Sequence, residues 1–251
     1  MKKNKILTAA GIILGLLCII CAAFALFLQK EPDTPTVAAP TQIIFPSTKE
    51  TENKEIYKSP IDFEEIHKEA PDVFSWLSID GTDINYPVVF REGDNSYYLR
   101  RNIYGKYDRK GSLFIEDYNK PDFNDPVTII YGHHLSSGEM FGKLQEIYTN
   151  PETFNKNNKI MVYTPEKMLT YRVFCAVPLD NSHILYYHNF NNALVFEKYF
   201  SDIRETRSLM TVFDEDIIIN HGDRVLMLST CFENDYSRRY VVMAVCEEEK
   251  F

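Results

Sequence analysis

The chain is short of cysteine, and what it has is poorly distributed for cross-linking. Of its five cysteines, Cys18 and Cys21 sit in an apolar N-terminal run, and Cys175, Cys231 and Cys246 are scattered through the body. This excludes the dense, even-numbered framework of a disulfide scaffold. The body also lacks a Cys-x-x-Cys pair, so a structural zinc site with four closely spaced ligands is not expected. No glycine-rich phosphate loop and no internal repeat is present. Tryptophan is nearly absent, a single residue against 16 tyrosines and 17 phenylalanines. An aromatic fraction of 14 % carried by Tyr and Phe suits strands better than a helical bundle. Basic charge is scarce as well. Setting aside Lys2, Lys3 and Lys5 leaves 24 basic against 36 acidic side chains. So acidic a body argues against nucleic acid as a partner.

Charge is missing altogether from residues 6–28, "ILTAAGIILGLLCIICAAFALFL". At ~1.5 Å per residue this stretch spans a hydrocarbon layer of about 30 Å with some tilt. The three lysines before it, with no acid, favour a cytoplasmic N-terminus. A cleaved signal peptide is the rival, because Ala23-Phe24-Ala25 resembles a small-x-small cleavage site. The apolar run is long for that role and continues past the site, which favours a retained single-pass anchor. Residues 31–58 are rich in Pro, Thr, Lys and Glu without an apolar period, as expected of an extended stalk. The expected organisation is a short cytoplasmic N-terminus (1–5), an anchor (6–28), a stalk (29–58) and one folded domain (59–251).

Within that domain the fold class is mainly β, with some helix. In "SPIDFEEIHKEAPDVFSWLSI", Phe63, Ile66, Val73, Trp76 and Leu77 have helix-like spacing. Two short helices divided at Pro71 are predicted there. A turn and strand follow in "DGTDINYPVVF", with Pro87 marking a strand start or edge. Short β-runs then recur at 111–118, 126–134, 159–165, 168–179, 224–231 and 238–246, and Thr164 to Lys167 forms a tight turn. Helical patterns interrupt at 139–157 and 191–209. Many short strands with few helices predict a closed or nearly closed barrel decorated by helices.

Chemistry concentrates in "RVLMLSTCFENDYSRRYVVMAV", residues 224–245. As a strand–turn–strand unit with Cys231 opposite Arg239, facing residues sum to 470, so Ser229 meets Val241 and Met227 meets Met243. Opposed side chains share a face, ~4.5–5.5 Å apart at Cβ. Arg239 then projects beside Cys231, and Arg238 points away. A guanidinium near a thiol can favour the nucleophilic thiolate and can donate to an oxyanion. Arginine suits the second role because it keeps its charge and donates from a planar fork. Acyl transfer through Cys also needs a proton carrier. His133 and His134 in "IIYGHH" follow an apolar strand and a glycine. His67, His183, His188 and His221 lie in solvated, loop or turn contexts. From the residues alone, a lone Cys at a strand end such as Cys231 is more often a small hydrophobe than a nucleophile.

The motifs decide between these readings. "LSTC" with "RRYVV" eight residues on resembles the active-site signature of sortases. "IIYGHH" followed by "MFGKL" is similar to the histidine segment of class B sortases, and "DNSYYL" (94–99) to the segment before their third strand. The three occur in the family's order, and the resemblance covers about residues 59–246. It implies a sortase-like closed barrel of about eight strands, with N-terminal helices and a helix in the long loop before the cysteine strand. It implies Cys231 as nucleophile, His133 as general acid/base and Arg239 as the stabilising arginine. Asn95, Leu99, Tyr131 and Ser229 match positions that line the sorting-signal groove. Their alternatives are core packing for Leu99 and Tyr131 and local turn hydrogen bonds for Asn95 and Ser229. The implied reaction is membrane-anchored cysteine transpeptidation. A sorting signal is cleaved after Thr through a thioacyl-enzyme, and the protein passes to a cell-wall peptide amine or a pilin lysine. No metal or organic cofactor is implied. The implied location is the outer face of a Gram-positive-type membrane. A cysteine peptidase releasing the peptide to water is one alternative, and a non-catalytic stalked binding module is another.

Overall fold

Strand-forming segments rich in Val, Ile and aromatic residues dominate the computed structural model, which describes residues 57–232 and 235–251. The expected anchor, and the stalk up to residue 56, lie outside the described residues. Nine strands form one sheet: β1 (Val73–Ile79), β2 (Asn85–Phe90), β3 (Leu113–Ile115), β4 (Val127–Tyr131), β5 (Lys159–Tyr163), β6 (Met168–Asp180), β7 (Val212–Phe213), β8 (Val225–Phe232) and β9 (Asp235–Lys250). Their order is β5-β1-β2-β3-β4-β8-β9-β6-β7, and β5 also pairs with β6. That last pairing closes eight strands into a barrel and leaves the two-residue β7 on the flank of β6. Closure removes the unpaired edges of an open sheet. The pairs β2–β3 and β4–β8 are parallel, and the remainder are antiparallel.

An eight-stranded barrel is narrow enough for side chains to fill. Here Leu77, Val88, Leu113, Ile130, Val162, Leu169, Leu226, Leu228, Val242 and Ala244 do so. Alternate residues of β4, β8 and β9 point outward. Ile129, Met227, Val241 and Met243 pack there against Phe196, Phe200 and Ile203. These three belong to the helix Ala193–Arg204, which lies in the long loop before the cysteine strand, as expected. Both faces of these strands are therefore covered, which is why they read as unbroken apolar runs rather than alternating ones.

Two expectations need correction. One N-terminal helix is described, α1 (Phe63–His67), capped by Asp62, whose carboxylate accepts the Glu65 N–H at 3.0 Å. Val73–Ile79, read as a second helix, is strand β1. Its seven residues are too few to separate a 3.6 from a 2 period, and pairing with β2 on one side and β5 on the other overrides the local spacing. The 139–157 pattern resolves into two helices, α2 (Leu144–Thr149) and α3 (Pro151–Lys156). Asn150 ends the first and caps the second, and Pro151 opens it. After β6 come α4 (Ile184–Tyr187), which the sequence pattern did not announce, and α5 (Ala193–Arg204). The Thr164–Lys167 turn forms as expected, with the Lys167 N–H donating to Thr164 Oγ1 at 3.0 Å. Among the described residues no helix is long and apolar enough to cross a membrane.

Candidate active site

The β8–β9 pairing has the expected register. Cys231 faces Arg239, Ser229 faces Val241 and Met227 faces Met243. Arg239 Nη1 donates to Cys231 Sγ at 3.0 Å, and the thiol is half-buried. The neighbouring arginine is used elsewhere. Arg238 lies over the Phe232 ring, 4.7 Å from its centroid, and the two arginines thus project to opposite faces.

His133 reaches the same place from the other side of β8. β4 and β8 are parallel, with Tyr131 level with Ser229. The Gly132 N–H donates to the Ser229 carbonyl at 3.1 Å, carrying the pairing past the end of β4. His133 follows Gly132 beyond the end of β4 and lines the same cleft as Cys231 and Arg239, which face each other on the neighbouring strands β8 and β9. Gly132 makes room for this. A Cβ there would meet Leu113 Cδ2 at 2.5 Å and Phe141 Cδ2 at 2.6 Å.

The His133 ring is oriented by the chain itself. Its Nε2 lies 2.6 Å from the Leu99 carbonyl. A carbonyl only accepts, so Nε2 carries the hydrogen and Nδ1 is left to take up or release a proton. His134 has a different environment. Its backbone bridges to Met140, and its Nδ1 is buried without a partner.

Cys231, His133 and Arg239 open into a cleft of about 230 Å3, which Asn95, Leu99, Tyr131 and Ser229 also line. The four differ in character. Leu99 is 41 % exposed, so it is no core residue, and its carbonyl holds His133. Tyr131 stacks on Phe114 with ring centroids 5.5 Å apart. Burial, and then the facing Glu116 carboxylate, push its phenol well above the ordinary tyrosine value. Asn95 spends both ends of its amide on Asp117, donating to Oδ1 at 2.7 Å and accepting the backbone N–H at 2.8 Å. Ser229 is buried at the cleft floor.

Three further parts of the lining were not singled out in the sequence: Phe114, Glu116 and the segment 180–184. His183, read as a loop residue, donates from Nε2 to Glu116 Oε2 at 2.6 Å. Its Nδ1 accepts the Tyr186 N–H at 3.1 Å and so caps α4. Histidine is not among the usual capping residues, and nothing in the local pattern marked it. Among the described residues no three His, Cys, Asp or Glu side chains converge as a metal site requires.

The family model for the sortase domain matches residues 77–247. The chain belongs to the sortase family. Sortase B of Listeria monocytogenes is 28 % identical to it over 198 residues, 76 % of this chain and 74 % of the relative. The crystal structure of Clostridium perfringens sortase B covers 74 % of this chain and all of its own, with 26 % identity and a TM-score of 0.66. A substrate complex of Staphylococcus aureus sortase B covers 74 % of this chain and 84 % of its own, with 25 % identity and a TM-score of 0.63. With these relatives the protein is a class B sortase, a cysteine transpeptidase.

Proposed function

We propose that this sortase uses Cys231 as its nucleophile, His133 as its proton carrier and Arg239 as its oxyanion donor. The observation that carries the reading is the 3.0 Å contact between Arg239 Nη1 and Cys231 Sγ, in a cleft that His133 also lines. The thiol proton passes to Nδ1 of His133, and the thiolate attacks the carbonyl carbon of Thr in a sorting signal. Arg239 donates to the oxygen that becomes negative. As the C–N bond breaks, His133 gives its proton to the departing amine and a thioester remains on Cys231. A cell-wall peptide amine, or a pilin lysine, then attacks the thioester. It loses a proton to His133, and the thiolate leaves and is reprotonated. Throughout, Nε2–H stays on the Leu99 carbonyl, which keeps the ring oriented toward the cleft. Asn95, Leu99, Tyr131 and Ser229 form the groove that receives the signal.

The remaining organisation follows the sequence. Residues 6–28 anchor the protein with residues 1–5 in the cytoplasm. Residues 29–58 act as the stalk, and 59–251 form the catalytic domain at the outer face of a Gram-positive-type membrane. The uncharged 23-residue run and the lysines before it support this reading.

The test is product identity. A sorting pentapeptide with a Thr is incubated with the protein, with and without an oligoglycine amine. The expected products are the hydrolysed peptide alone in the first case and the amine conjugate in the second, and Cys231→Ala gives neither. Water-only products in both cases would make the protein a peptidase. Peptide bound equally by Cys231→Ala and the parent, with no product from either, would make it a binding module.

A further inference from the structure

One wall of the cleft is not part of the barrel. Residues 181–188 leave the end of β6, fold into α4 and return toward α5. The Asn181 N–H donates to the Ser237 carbonyl at 3.1 Å, which fixes the root of this segment. Beyond the root, the segment meets the residues after β3 through Glu116 and Tyr118. Glu116, immediately after β3, accepts from His183 Nε2 at 2.6 Å, and the side chain of Glu116 is only 16 % exposed. His183 in turn holds the first turn of α4 through Nδ1, and its ring packs 4.7 Å from that of Tyr118. Glu116 also faces the Tyr131 phenol. A single carboxylate thus links the barrel wall, a groove tyrosine and the loop helix, and both Glu116 and His183 line the cleft with Cys231.

We propose that Glu116 is a positioning residue of this sortase: through His183 it holds the α4 segment as the second wall of the peptide groove. The proposal rests on the reading of the Cys231 cleft as the sorting-signal site. Glu116 does not touch the thiol or the guanidinium in the structure, so its contribution lies in binding the peptide and not in the chemical steps. A wall that contacts ground state and transition state alike alters KM and leaves kcat nearly constant. A charge-assisted hydrogen bond in a sheltered place corresponds to a KM increase of about tenfold or more.

The test compares Glu116→Ala, His183→Ala and the double variant on a sorting pentapeptide with an amine acceptor. Alkylation of Cys231 by iodoacetamide is followed in parallel. The expected result has three parts. Each single variant raises KM about tenfold with kcat within a few-fold of the parent. The double variant raises KM by much less than the product of the two single effects, because both remove the His183–Glu116 link. Alkylation keeps its rate, since a small reagent needs no second wall. Glu116→Gln, which still accepts a hydrogen bond, falls between parent and Ala. Unchanged KM, a loss confined to kcat, additive effects or slowed alkylation would each overturn the proposal. If Glu116→Ala fails to fold, His183→Ala, a loop change, carries the same expectation. Transpeptidation surviving in Cys231→Ala would remove the underlying reading instead. With that variant inactive, a negative result at Glu116 counts against this proposal alone.

Discussion

Replacing Arg239 should damage catalysis far more than replacing its neighbour, although the two look equivalent in the chain. Arg239 places one charged donor 3.0 Å from the Cys231 sulfur. Arg238 places its guanidinium 4.7 Å above Phe232 on the other face. Removing a single oxyanion donor from an acyl-transfer site typically lowers kcat by about 10²–10³. Arg239→Ala is expected in that range, with a smaller change in KM. Arg239→Lys restores the charge but donates as a point from a differently shaped chain, so it should recover only part of the loss. Arg238→Ala removes a cation–π contact and should cost about 0.5–1 kcal/mol of stability with near-parental turnover. A quenched fluorescent sorting peptide with an amine acceptor gives kcat and KM for all three variants, and urea unfolding gives their stability. If Arg238→Ala were as inactive as Arg239→Ala, the face assignment would carry no functional meaning. If Arg239→Lys were fully active, charge alone would suffice and the argument from the planar fork would fail.

The histidine pair should separate in the same way. His133→Ala should lower turnover by about 10²–10⁴, the range for loss of a positioned acid/base group. His134→Ala should retain most activity, and equal losses would undo the assignment. Glu249 offers a prediction on stability. Arg224 Nη2 donates to it at 2.7 Å and Lys167 Nζ lies 2.7 Å away, and chiefly the Arg224 bond holds its carboxyl below the ordinary glutamate value. A lowered folded pKa means the contribution is complete above the unfolded value of about 4.3 and is lost as pH falls through the lower folded value. Glu249→Gln should therefore cost about 1–3 kcal/mol at pH 7 and lose less than the parent on acidification. Parallel urea-midpoint profiles for the two would contradict this.

How far the chain discloses its structure depends on the range of the interaction concerned. The Cys231–Arg239 face was legible because the hairpin keeps one index sum from Val225–Val245 up to Cys231–Arg239, and its register shifts only beyond, at Phe232. The arrival of His133 in the same cleft was not, since the parallel β4–β8 register has no turn to set it and depends on pairing between distant segments. Val73–Ile79 misled for a similar reason: its pairing partners are strands β2 and β5, and its own spacing fitted a helix. That Leu99 and Tyr131 line the cleft was legible through motif resemblance. Glu116 and His183 were not, because what makes them partners is a contact across 67 residues, with no motif at either end.

The parallel β4–β8 pair also has a consequence for the order of assembly. Tyr131 and Ser229, the last pair of that ladder, lie almost a hundred residues apart in the chain. Hairpins such as β5–β6 and β8–β9 close over short loops, whereas this pairing must first overcome the entropy of a long one. Contact order thus predicts that the Cys231–Arg239 pairing forms ahead of the β4–β8 pairing that leads to His133. A partly folded chain would then hold the thiol beside a guanidinium before the histidine reaches the cleft. On the proposed roles, nucleophile and proton carrier would meet only as the groove itself takes shape.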